Sequence, residues 1–470
     1  MKTRPRVGSL FSYDWDEIGF AALADRAEFD TAGFDLFSFP SNAHLIHFDL
    51  LGFARRQAAR GRRRGWAGVV SHHEQFGALA AALVAETLGL PGASPESVIA
   101  AQHKLYAREV LQRVAPEANL GYAPLDVVYG QDIPPGLPYP SFVKPVKAAF
   151  SVLARLVHNR QELQAHTRFG HRELWVIRRL VEPFERVLQR RLPAAGTAHR
   201  MMLEEPVSAE TPQYNLDGWV FQGQTHALGV VDAIMYPGTQ AFMRWQYPSQ
   251  LAAEVQAQAL DVARRFLDAI GFRHGFFNME FFHDPLSGKL SVIEFNPRLA
   301  SQFADLYLRV SGRDAHAMSL SLALGEDPLK LPRHTPTAGA AASQVYRSFA
   351  IDHLPAMPQV EQVRQFHASY PGALLYCYPR QGRALARDFK WLGNYRMGIV
   401  HLGGTDAADL RRRTEAASTL LGWTAPYADL LRPLQPLPPL PSLQQAPAVE
   451  ADSDDAAAAA ASGWRQTRSP

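Results

Sequence analysis

From Phe276 to Arg298 the chain reads FFNMEFFHDPLSGKLSVIEFNPR, two short strands joined by a polar turn. Side chains alternate faces along a strand, so Asn278, Glu280 and Phe282 share one face of the first. Glu294, Asn296 and Arg298 share one face of the second by the same spacing. A purely structural hairpin would carry aliphatic residues or scattered charges there. Two carboxylates, an amide oxygen and a guanidinium on one face of an aromatic hairpin point instead to a ligand. Hard oxygen donors on a small antiparallel platform suit Mg²⁺ or Mn²⁺, which keep several waters and bridge to substrate phosphates.

Several function classes are disfavoured by the rest of the chain. At 470 residues it can hold two to four domains. No run of about 18 apolar residues is present, so no membrane span is expected. Asp14, Asp16 and Glu17 interrupt any apolar stretch near the N-terminus, so no signal peptide is read there. The single cysteine, Cys377, rules out an internal disulfide and a cysteine-based zinc site, and suits a reducing cytoplasm. The basic run RRQAARGRRR (Arg55–Arg64) has no interleaved aromatics and reads as a solvated helix end, so nucleic acid is not an expected partner. GxxxxGK[ST], GxGxxG, GxSxG and HExxH are all missing.

Strand-like Phe34–Phe39 and Trp66–Ser71, with an Ala/Leu-rich helix over Glu74–Leu88, predict βαβ units and a parallel sheet. His72-His73-Glu74 is read as part of a capping box, with Ser71 and Glu74 starting that helix, rather than as a metal site. Ser94-Pro95-Glu96 opens a helix running to about Ala115, with Lys104 in its middle. Lys144 lies on the strand SFVKPV. Strands are expected near Arg200–Leu203, Tyr214–Gln222 and Thr225–Met235, and helices over Pro248–Ile270 and Phe303–Leu324. Beyond Arg333 a strand at Ala373–Tyr378, another at Arg396–Leu402 and a helix over Ala407–Leu421 capped by Thr405 make a smaller mixed unit. The proline- and alanine-rich stretch from Arg432 cannot build a core and is read as disordered.

Taken in order, Lys104 in a helix, Lys144 in FVKP, the strand end MLEE, then Glu280 and EFNPR resemble the ATP-grasp superfamily. Within it, the likeness is to carboxylate–amine ligases of the L-amino-acid ligase and biotin carboxylase branch. It spans roughly Val69 to Gly325, and its most specific piece is ME, thirteen residues, then EFNPR. The resemblance implies an α/β fold with α+β lobes. A Rossmann-like pre-ATP-grasp domain would cover 1–93, and the ATP-grasp domain 94–330 with its lid at about 141–215. A C-terminal α/β unit would follow over 331–430, then a tail over 431–470.

The roles it implies are specific. Lys104 and Lys144 would hold nucleotide phosphates under a loop that includes Ser151. Glu204, with Glu205 and Val207 in EEPV, matches the adenine hinge, and Met202 and Leu203 would pack beside the base. Gln213 or Glu210 falls near the ribose contact. Glu280, Glu294 and Asn296 match the metal ligands, and Arg298 the residue facing the transferred phosphoryl group. ATP and Mg²⁺ (or Mn²⁺) are thus the implied cofactors and a small carboxylate and an amine the partners, in a cytoplasmic protein for which a homodimer is the candidate assembly. Arg309, Arg313 and Arg347 are candidates for gripping the substrate carboxylate. The chain departs from the family at Lys147-Ala148-Ala149-Phe150-Ser151, where a glycine-rich lid is usual. An ATP-binding regulatory protein and a carboxylase-like enzyme are the competing readings.

Overall fold

A computed structural model describes residues 4–34, 44, 47–126, 131–147 and 153–431. Of the strand expected over Phe34–Phe39, only Phe34 is described, outside any strand; residues 35–39, Ser151 with the loop 148–151, and the tail from 432 lie outside these residues.

The chain opens with β1 (Arg6–Leu10), α1 (Asp14–Ala21), β2 (Glu28–Ala32), α2 (Leu50–Arg64), β3 (Trp66–Val70) and α3 (Gly77–Leu88). The strands form a parallel sheet in the order β2-β1-β3, as the βαβ pattern requires. The basic run lies in α2, which starts on Asp49, whose carboxylate accepts from the Gly52 amide, and stops at Gly65 with φ of 65°. Leu50, Phe53, Ala54 and Ala58 of α2 are buried in one core with Leu79 and Leu83 of α3. The expected capping box is not formed. Ser71 Oγ donates to the Leu10 carbonyl at 2.6 Å and accepts from the His73 amide, so residues 71–76 form a loop and α3 begins at Gly77. Glu74 is thereby free of the helix and turns toward the sheet platform described below.

The helix expected from Ser94 to Ala115 is broken. Ser94 caps α4 (Pro95–Gln102), and α5 (Lys104–Val114) starts afresh on His103. His103 leaves the helical region with ψ of 93°, and its Nδ1 accepts from the Tyr106 amide at 3.1 Å. Lys104 therefore sits in the first turn of a helix, not in the middle of one.

A second, antiparallel sheet has the order β4-β7-β5-β6, from β4 (Tyr122–Leu125), β5 (Ser141–Pro145), β6 (Arg155–Val157) and β7 (Met201–Glu204). Its apolar face packs with α6 (Arg160–Thr167) and α7 (His171–Arg191) around Val143, Val157, Leu163, Ile177 and Leu203.

The third sheet is antiparallel throughout. It contains β8 (Gln213–Phe221), β9 (Gln224–Met235), β10 (Phe242–Tyr247), β11 (Gly275–His283) and β12 (Leu290–Asn296). It also takes in β13 (Ala340–Ser348), β14 (Leu374–Cys377) and β15 (Tyr395–Gly404), in the order β12-β11-β8-β9-β10-β13-β15-β14. The strands beyond Arg333 thus extend the platform sheet through the β10–β13 pairing instead of forming a sheet of their own. Between β10 and β11 lies α8 (Ala253–Ala269), whose Phe266 stacks on Phe295 of the platform with ring centres 3.9 Å apart. The helix expected over Phe303–Leu324 is two, α9 (Ala304–Ser311) and α10 (Ala315–Ala323), parted by Gly312 at φ 66° and the capping Asp314. In the last part, α11 (Val360–Ser369), α12 (Gly382–Leu392) and α13 (Ala407–Leu421) accompany β14 and β15. Asp406, not Thr405, caps α13, its carboxylate accepting from the Asp409 amide.

Candidate active site

The hairpin forms as its alternation predicts, with one irregularity. Asn278 faces Asn296 and Glu280 faces Glu294, but the register then shifts so that Phe281 faces Val292. On its other side β11 sets Asn278 against Asp217 and Glu280 against Asn215 of β8. A polar row results. Gln213 Nε2 donates to Glu280 at 3.0 Å, Asn278 to Asp217 at 3.0 Å, and the Asn278 and Asn296 amides meet at 3.2 Å. Tyr307 of α9 donates its hydroxyl to Asp217 at 2.8 Å. Burial pushes the Asp217 carboxyl up to about 7 despite those donors.

Cations approach this row from three directions. Lys104, at the start of α5, places Nζ 2.6 Å from Glu294. Its position is held by its own amide, which donates to the Val146 carbonyl at 3.1 Å just past β5. Arg298 follows β12 and lies 2.8 Å from Glu74, carried by the loop after β3. Lys144 of β5 lies opposite Met202 of β7 and reaches Glu204 at 2.7 Å. Arg108 closes the set: Nε donates to Glu204 at 2.7 Å and Nη2 to the Ile293 carbonyl, at the register shift of β12, at 3.0 Å. One buried guanidinium thus ties the second sheet to the third.

The electrostatics divide the two platform carboxylates. Burial and the adjoining Glu294 and Glu74 charges push Glu280 well above the usual carboxylate range. Burial would raise Glu294 as well, but Lys104 and Lys144 hold it low. A buried pair of carboxylates whose mutual repulsion raises one of them is short of positive charge. Oxygen donors from Glu280, Glu294 and Asn296, with both carboxyls ionised, are a fitting set for Mg²⁺ or Mn²⁺.

Other expected residues fall variously. Met202 is buried with Leu105 and Val146, on the side of β7 that carries Glu204. Leu203 points the other way, into the core of the second sheet, and offers a cleft only its backbone. Glu205 is exposed, accepts from the Gly121 amide at 3.2 Å and stands 4.0 Å from Lys289. Val207 and Glu210 lie in the loop between β7 and β8, half-buried and exposed respectively. Arg309 is held by Asp305 at 2.6 Å and Arg347 by Asn394 at 2.7 Å, while Arg313 lies over the Trp219 ring. Among the described residues, none of the three is paired with a platform residue.

Glu74 and Arg108 were missed by sequence reasoning. Arg108 had a signal, since it stands four residues after Lys104 and so shares its helix face. Glu74 had none, because its partner lies 224 positions away. His72 is not part of the platform. Its ring bonds Asp16 at 2.8 Å and Ser319 at 2.7 Å, and His316 reaches the same Asp16 oxygen at 3.2 Å.

No family model matches the chain. Carnosine synthase 1 of Gallus gallus is 29% identical over 272 residues, which is 54% of this chain and 27% of that protein. The chain thus spans about a quarter of that relative's length. Among solved structures, an L-amino acid ligase from Bacillus licheniformis matches at TM-score 0.63 and 14% identity, covering 89% of this chain and 98% of its own. A biotin carboxylase from Campylobacter jejuni matches at TM-score 0.58 and 14% identity, covering 88% and 91%.

Proposed function

We propose, from the ATP-grasp fold that this chain shares with those ligases, that it is an ATP-dependent ligase joining a small carboxylate to an amine. The carrying observation is the convergence of Lys104, Glu280, Glu294, Asn296 and Arg298 on one end of the third sheet, with Lys144 and Glu204 facing it from the second. Nucleotide binding alone would not call for Arg298.

In this reading Glu280, Glu294 and Asn296 hold Mg²⁺. Held there, the cation would neutralise phosphate charge. Lys104 and Lys144 meet the phosphates, and the Glu204 strand end with Val207 takes the adenine. Gln213, which hydrogen-bonds Glu280, orients that carboxylate. Arg298 leaves Glu74 to face the phosphoryl group as it passes to the substrate carboxylate, and then the oxyanion formed when an amine displaces phosphate from the acyl-phosphate. The protein's part is positioning and charge, with no nucleophile of its own.

The test is ADP release by the full chain with Mg-ATP against pools of amino acids and small carboxylic acids, each with and without an amine. Stimulation that needs both substrates supports the ligase. Nucleotide binding with no stimulation by any pool would favour the regulatory reading, for which the glycine-free sequence Lys147–Ser151 speaks. Stimulation by bicarbonate alone would favour a carboxylase.

A further inference from the structure

Five cations reach the neighbourhood of the platform, and four already have a carboxylate: Lys104 with Glu294, Lys144 and Arg108 with Glu204, and Arg298 with Glu74. The fifth, Lys147, has none among the described residues. It follows β5 by two residues, is 2% exposed, and makes no hydrogen bond or ion pair among the described residues. Its Nζ lies 5.1 Å from the centre of the Phe184 ring of α7. The charges acting on it are those of Glu74, Lys104, Glu294 and Arg298, all at the metal end of the site. A ring face repays only part of the cost of burying an ammonium group. A buried cation without its anion is a standing expense that a permanent anionic ligand would remove.

We propose that Lys147 is a third phosphate-binding lysine, whose ammonium meets the terminal phosphate of the bound nucleoside triphosphate. It supplies by side chain what backbone amides of a glycine-rich loop supply elsewhere, in a chain with no glycine from Lys147 to Ser151. The inference rests on the ATP reading above. Its chemistry follows from its surroundings: phosphate carries the counter-charge that Lys147 lacks, and the four paired cations must each give up a carboxylate before serving the same purpose.

The experiment is calorimetric titration of the full chain with Mg²⁺ and a β,γ-imido ATP analogue, and separately with AMP, for wild type, Lys147→Met and Lys147→Arg. Loss of one charge-assisted contact corresponds to roughly 10- to 100-fold weaker binding. That loss is expected for the triphosphate analogue in Lys147→Met, with AMP affinity unchanged and Lys147→Arg close to wild type. The empty Lys147→Met chain should also unfold at a higher temperature than wild type, because the burial cost is gone. Equal affinity of wild type and Lys147→Met for the analogue, or a less stable empty variant, would overturn the role of Lys147 while leaving the ATP site standing. A variant that binds the analogue normally but needs more carboxylate substrate would assign Lys147 to the acid and overturn the proposal equally. A wild type that binds no triphosphate would remove the ATP reading and Lys147 with it.

Discussion

Arg298 Nη2 lies 2.8 Å from Glu74 Oε2, so the end of the platform hairpin is bonded to the loop after β3. Both side chains are largely buried, at 14% and 11% exposure. Removing one member of such a pair leaves the other desolvated and unpaired, which costs about 3 kcal/mol. Glu74→Ala should therefore destabilise the empty chain by about that amount in urea unfolding, and Mg-ATP should restore part of it by giving Arg298 a new anion. A loss below about 1 kcal/mol would mean the pair is effectively solvated.

Arg108 makes a parallel case where the second sheet is tied to the third. It is 2% exposed and shares Glu204 with Lys144. Arg108→Met keeps an unbranched side chain of about the same length but removes the bonds to Glu204, to the Asn119 side chain and to the Ile293 carbonyl. A stability loss of about 2–4 kcal/mol is expected, together with a raised KM for ATP, because the second and third sheets lose their common anchor. Unchanged ATP saturation in this variant would show that the anchor does not set the cleft.

The platform also makes a prediction about pH. Burial, then Glu294 and Glu74, raise the Glu280 carboxyl in the folded chain above its unfolded value. Such a group stabilises the fold at low pH, and that contribution is lost as pH rises from the ordinary carboxylate range through the raised value. Stability of the metal-free chain should fall over that window. Affinity for Mg²⁺ should rise over the same window, since binding must expel the proton. Glu280→Gln should flatten the stability slope; an unchanged slope would place the titrating proton elsewhere.

Much of this was legible in the sequence because a strand's period is two. Glu280, Glu294 and Asn296 could be put on one face from spacing alone, and the βαβ start and the order of lysines and acids carried the fold class. What escaped depended on local competition or distant contact. His103 caps a new helix with its ring, so the continuous pattern around Lys104 hid a break. Ser71 spends its hydroxyl on the Leu10 carbonyl, so a sequence that matches a capping box does not form one. The β10–β13 pairing joins residues about a hundred positions apart through side chains with no distinguishing pattern, and so the last strands read as a separate unit. The Leu203 side chain was assigned to the base without regard to alternation, which sets it opposite Glu204's face.

The most direct test of the account is the Glu294→Gln variant, which keeps an acceptor for Lys104 while removing one platform charge. With wild type stimulated by a carboxylate and an amine, Glu294→Gln should retain the circular-dichroism spectrum and cooperative unfolding of the parent. Its Mg-dependent ADP release should fall by at least about 100-fold, the scale expected when a charge aimed at the transition state is removed. ADP release at the wild-type rate from the folded variant would contradict the claim that this hairpin is the metal-binding, phosphoryl-transferring end of the site.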